Sequence, residues 1–190
     1  MTRFVCILVM LVVTLLAGCG GYTHVTSRDE ETGSSWTTIT PRKGPAAGCY
    51  LMTLSPGLQR MVGGYSAAEP VCYVPRTAGS GTQPFFHLAN PSTGDHLYTA
   101  RASEISEAAQ WNYTFADTCC YVYADSASGR LPLFRLFKEG TWCHFYTTSE
   151  SARDSLAGFH GYKMEGVACY VRSDSLGGAR VLYRMRRVSG

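Results

Sequence analysis

One set of phrases returns at nearly constant spacing, and it limits the fold more than any other property of the chain. "FFHL" (85–88), "LFRL" (133–136) and "LYRM" (182–185) begin 48 and then 49 residues apart. "VCYV" (71–74), "CCYV" (119–122) and "ACYV" (168–171) keep the same two spacings. "DHLYTA" begins at Asp95 and "CHFYTTS" at Cys143, and "CYLMTLS" from Cys49 holds the corresponding place near the start. Self-similarity at such a period means that one supersecondary unit is built several times. Three units are expected, at about 46–80, 81–128 and 129–178, the first of them eroded.

Each unit runs in the same order. A short strand such as "LFRLF" meets a turn, "NPSTGD" or "KEGTW", rich in Gly, Pro and Asn. The strand "HFYTT" follows, then a short helix, "ASEISEAAQ" or "SESARDSLAG", and last the alternating strand "GVACYV". In the first unit, Ser55 and Pro56 read as an N-cap and first helical position. That unit has no good copy of the opening strand, whereas the chain ends on a spare one. The spare strand, 181–187, is therefore expected to fill the vacancy and close the domain, removing two exposed edges. Twelve Tyr, eight Phe and twenty Gly suit β structure with many turns. The expected fold is mostly β with short helices, β-trefoil-like, with a propeller-like ring of three small sheets as the alternative.

The N-terminus points to export. A 13-residue apolar run, Phe4–Leu16, follows a short positive start and is too short to span a bilayer. It ends in "LAGC" (16–19), which resembles the bacterial lipoprotein signal. That likeness implies cleavage after residue 18, lipidation of Cys19, and a cell-envelope location on the bilayer. Gly20 stands where Asp is the usual inner-membrane retention signal, which favours an outer membrane if the organism has one. Residues 19–45, rich in Gly, Ser, Thr and charge, read as the lipidated end and a flexible tether before the repeat domain at 46–190. A net charge of +3 gives no basic field for nucleic acid.

The phrases "LFRLF", "HFYTTSE", "YKMEGVACYV" and "LYRM" together resemble a bacterial and fungal repeat domain of unknown function, over about Ala46 to Arg187. The third unit matches best. The second departs at His87, where Arg is usual, and at Ala116-Asp117, where Glu-Gly is usual. Relatives of this type often accompany secreted hydrolases or surface proteins. The resemblance thus implies an accessory role in contact with carbohydrate, peptidoglycan or an envelope protein, and it carries no activity with it.

No nucleophile motif is present, so no catalytic residue is assigned and the chain is read as non-enzymatic. A purely structural lipoprotein and, less favoured, a hydrolase are the alternatives. His96 and His144 read first as hydrogen-bonders beside turns, second as ligand contacts and last as general bases, in which case Asp95 would orient one of them. Arg135 and Arg184 hold equal positions. They either stack on Tyr and pair with a carboxylate such as Glu165, or recognise an anionic group on a glycan. Tyr98, Tyr146, Trp111 and Trp142 are candidate sugar platforms, Trp142 the best exposed of them.

Six cysteines remain after the signal and the lipid site: Cys49, Cys72, Cys119, Cys120, Cys143 and Cys169. In an oxidising compartment they are disulfide candidates. Symmetry suggests Cys49–Cys72 and Cys143–Cys169, with other connectivities open. The ligand types are scattered and there is no CxxC, so neither a metal nor a cofactor is expected.

Overall fold

The computed structural model describes residues 22–28, 35–41, 48–58 and 64–188. The expected signal, the lipid site at Cys19 and most of the helix expected after Pro56 lie outside these residues. Within the expected tether, β1 (Tyr22–Arg28) and β2 (Ser35–Pro41) pair antiparallel, with Tyr22 opposite Pro41 and Arg28 opposite Ser35. The absence of apolar periodicity suggested a structureless segment. Its β-branched residues, Thr23, Val25, Thr26, Thr37, Thr38, Ile39 and Thr40, favour an extended backbone instead.

The rest is mostly β, with two helices among the described residues, α1 (Ser103–Ala109) and α2 (Glu150–Phe159). Nine strands make one antiparallel sheet: β3 (Tyr50–Thr53), β4 (Glu69–Val74), β5 (Thr82–Ala89), β6 (His96–Thr99), β7 (Thr114–Tyr123), β8 (Arg130–Lys138), β9 (Cys143–Thr147), β10 (Lys163–Arg172) and β11 (Arg180–Arg186). β5 lies between β6 and β7, β8 between β9 and β10, and β11 between β3 and β4. In the strand ladder the three sets are joined by single residue pairs on β10, Arg172 with Tyr73 and Tyr170 with Tyr123. The hydrogen-bonded path runs from β3 to β6 and has free ends, so the sheet is open. No helix among the described residues is long and apolar enough to cross a membrane.

Residues at corresponding places in the three sets meet in one core. Phe85, Leu133 and Leu182 are fully buried, and so are Val74, Val122 and Val171. Each such side chain stabilises the fold by roughly 1.5–3 kcal/mol relative to exposure. The Tyr and Thr of the recurring "YT" tie this core to the backbone. Tyr146 donates its hydroxyl to the Tyr98 carbonyl and accepts the Tyr98 N–H, both at 2.8 Å. Tyr98 does the same to Met52, at 3.1 and 3.0 Å. Met52 has no hydroxyl with which to continue the series. There Arg184 on β11 donates Nη1 to the Tyr146 carbonyl at 3.1 Å. Thr53, Thr99 and Thr147 each accept, through Oγ1, the N–H two residues on, turning the chain out of β3, β6 and β9. After Thr147, Ser149 caps α2 by accepting the Ala152 N–H at 3.2 Å.

The pairings Cys49–Cys72 and Cys143–Cys169 are not formed. Cys49 is bonded to Cys143, with Cα atoms 5.0 Å apart, and Cys72, Cys119, Cys120 and Cys169 are free thiols. Symmetry suggested bridges within a unit. Instead, Cys49 and Cys143 stand where β3 and β9 begin, and these strands approach each other between sets. Cys72, Cys120 and Cys169 point into the shared core. Cys119 is the extra residue of a β-bulge, since Phe85 pairs with Cys120 and Phe86 with Thr118.

Candidate functional site

A cleft of about 910 Å³ opens between the α1–β7 turn and the β8–β9 turn. Its rim carries two exposed tryptophans, Trp111 (64% exposed) and Trp142 (54%). Its floor carries Glu104, Arg135, His144 and Glu165, with Tyr113 beside them.

Both rim segments are held in unusual backbone geometry. Among the described residues, Asn112 (φ 66°) and Trp142 (φ 55°) are the non-glycine residues with positive φ, and both line this cleft. A bulky side chain in that region is a costly conformation that the surroundings must enforce. One wall is strapped by the loop before β6. Asn90 donates Nδ2 to the Trp111 carbonyl at 2.8 Å and accepts the N–H groups of Ser92 and Thr93 at 2.9 and 3.1 Å. Asn112 donates to Ser92 Oγ at 2.6 Å. On the other wall the Trp142 ring meets Phe137 edge-on, with centroids 5.9 Å apart.

The floor is a network of ion pairs. Arg135 donates Nη1 and Nη2 to the two oxygens of Glu104 at 3.0 and 2.8 Å, a fork-to-fork pair between β8 and α1. Its Nε lies 2.8 Å from Glu165 Oε2, an ion pair off hydrogen-bond alignment. Glu165 reaches this place because it is a bulged residue. Met164 pairs with Leu136 and Gly166 with Arg135, which leaves Glu165 unpaired and turned inward. Gly166 at φ 97° supplies a conformation that a side chain disfavours. This is the physical content of the "Glu-Gly" pair in the sequence.

His144 is held on both ring nitrogens, by Asp95 at Nδ1 and by Glu165 at Nε2, 3.3 Å away. Asp95 is fully buried. It also accepts the His144 backbone N–H at 2.8 Å and the Tyr113 hydroxyl at 2.6 Å. Burial alone disfavours a charged imidazole, but the Asp95 carboxylate and then Glu165 outweigh it and raise the His144 pKa to about 9. Burial likewise works against the carboxylates, yet His144 holds Asp95 below the usual range, and hydrogen bonds led by Arg135 bring Glu104 to about 2. Glu165 is lowered too, by His144 and Arg135 against its partial burial. Burial and then Asp95 push the Tyr113 hydroxyl up. At neutral pH the floor therefore favours the charged forms of His144, Asp95, Glu104 and Glu165.

Of the residues singled out in the sequence, the cleft gathers Trp111, Trp142, His144, Arg135 and its expected partner Glu165. Tyr98 and Tyr146 are buried, their hydroxyls held by backbone. His96 is buried elsewhere, between His87 (2.9 Å) and Tyr65 (3.2 Å), and Asp95 holds His144, not His96. Arg184 pairs with Glu69 at 2.9 Å, its guanidinium 4.3 Å from the Phe145 ring centre. Glu104, Asn112 and Tyr113 escaped the sequence reading. They lie on the short helix and its exit turn, and no repeat pattern marks them. Among the described residues Cys49, Asp95 and Cys143 come close enough to suggest a metal group. The two sulfurs are bonded to each other, however, and the carboxylate already has three donors.

No curated protein and no solved structure matches this chain. Residues 54–172 match the family described as a domain of unknown function, DUF5648, and since this is well over half of the chain, the protein belongs to that family.

Proposed function

We propose that this is a lipid-anchored envelope protein whose domain, non-catalytic, binds carbohydrate or cell-wall glycan in the cleft between Trp111 and Trp142. One observation carries the reading: two exposed indoles rim a cleft with a polar, hydrogen-bonding floor. Aromatic faces pack against the apolar faces of sugar rings, and carboxylates accept from their hydroxyls. The cleft volume is that of a small-ligand site. Hydrolysis is disfavoured by the same floor. Glycoside cleavage needs one carboxylic acid to donate a proton, and Glu104 and Glu165 both have lowered pKa values.

We also read the domain as three trefoil-like repeats about a pseudo-threefold axis, a reading supported by the matched burial of Phe85, Leu133 and Leu182 and of Val74, Val122 and Val171. The envelope location rests on "LAGC" at 16–19. Purified protein titrated against a panel of oligosaccharides and insoluble peptidoglycan tests the binding function. Saturable binding that W111A and W142A each weaken is expected, and no binding to any glycan would overturn it. Labelled palmitate should enter the wild-type chain and not C19A; labelling of C19A would overturn the anchor.

A further inference from the structure

Both floor cations are turned toward protein carboxylates. All three nitrogens of the Arg135 guanidinium face Glu104 or Glu165, and both ring nitrogens of His144 face Asp95 or Glu165. No cationic group on the floor is left to meet an anionic ligand. Four carboxylates line the cleft, Glu104, Glu107, Glu139 and Glu165, against these two cations. Glu107 has no ion-pair partner among the described residues, and the partner of Glu139 is the exposed Lys163. Carboxylates offer lone pairs to N–H and O–H donors and repel acidic groups. The two indole faces above them attract cations through the ring quadrupole.

We propose, resting on the carbohydrate reading above, that the ligand is a saccharide bearing free amines, a glucosamine-type chain, in preference to its N-acetylated or acidic counterparts. The ammonium lies against a tryptophan face and the Glu107 or Glu139 carboxylate, while ring hydroxyls donate to the floor glutamates. Of the two roles weighed for Arg135, this keeps the first, pairing with a carboxylate such as Glu165. It is the counter-ion that fixes two glutamates, not the receptor of an anionic sugar.

The test is calorimetric titration of the purified full-length protein with three tetrasaccharides: fully deacetylated chitotetraose, its fully N-acetylated form, and tetragalacturonate. The amine-bearing chain should bind about tenfold or more tightly than the acetylated one, the scale of one desolvated cation–π contact, and the uronate should not bind. The paired variant E107Q/E139Q should remove most of that preference while leaving thermal stability unchanged, since both side chains are exposed. Equal or tighter binding of the acetylated or acidic chain, or an undiminished preference in E107Q/E139Q, overturns the amine preference and leaves the carbohydrate reading standing. Failure of all three chains, together with failure on the wider panel above, overturns both.

Discussion

Asp95 holds His144 at two points, through its backbone N–H and through ring Nδ1, although the two residues stand 49 positions apart. The aspartate ends the turn before β6, and the histidine lies in β9. One buried carboxylate therefore joins two neighbouring sets of strands and fixes the charge at the base of the cleft.

Stability should peak near pH 6.5. The His144 pKa is raised to about 9 by Asp95 and Glu165 against burial, so its contribution is complete below the unfolded value near 6.5 and is lost as pH rises through 9. His96 has the opposite sign. Burial and the neighbouring His87 lower it to about 3, so its contribution is complete above 6.5 and is lost as pH falls toward 3. Urea midpoints measured from pH 4 to 10 should trace a maximum, with H144Q flattening the alkaline limb and H96Q the acid limb. A profile level across this range would contradict both assignments.

Position 142 should separate binding from stability. Trp142 sits at φ 55°, where glycine is free of steric cost. W142G should be more stable than W142A by about 1 kcal/mol in denaturant unfolding. Both variants should lose saccharide binding alike. If Ala proved the more stable replacement, the positive φ would not be a feature of the folded protein.

Arg135→Met leaves Glu104 and Glu165 facing one another without their shared cation. Breaking a buried pair from one side costs about 3–5 kcal/mol. The double variant R135M/E104Q should recover part of that loss, because one of the stranded charges is gone. A loss under about 1 kcal/mol for R135M would show that the pair is solvated.

Cys49 and Cys143 close a loop of sequence separation 94. In the chain-entropy account this is worth about 4–5 kcal/mol. C49A/C143A should lose stability of that order, and non-reducing peptide mapping should find the two cysteines in one linked fragment. A fragment linking Cys49 to Cys72 would overturn the pairing.

The strands of the large sheet were legible in the sequence because they carry recurring phrases, whereas β1 and β2 carry none and fell in the expected tether. The spare "LYRM" also pointed to β11 lying beside β3 and β4, which is where it pairs, but the expected closure is not made, since the sheet keeps free ends at β3 and β6. The disulfide was not legible. Spacing relates residues within a unit, whereas Cys49 and Cys143 meet between units, and only three-dimensional approach decides that. The same limit hid half of the cleft. His144 and Arg135 belong to repeated phrases and Trp111 and Trp142 stand out as aromatics, while Glu104 and Tyr113 sit on a helix and turn with no recurring signature. The His-Tyr-Thr phrase itself divides by role. Its Tyr and Thr are fasteners to backbone, and only the histidine at 144 reaches the cleft.

The place of β11 also sets an order in time. Tyr183 pairs with Thr53, 130 positions earlier, and Leu182 and Met185 fill the core beside Leu51 and Met52. The first set of strands has no central member until nearly the whole domain has been made. A chain being synthesised therefore cannot secure its first set of strands as it appears. It must stay unfinished until β11 arrives, with slow, long-range pairing as the last step. Closure of the first set is thus tied to the last strand of the domain and not to the strands that come first.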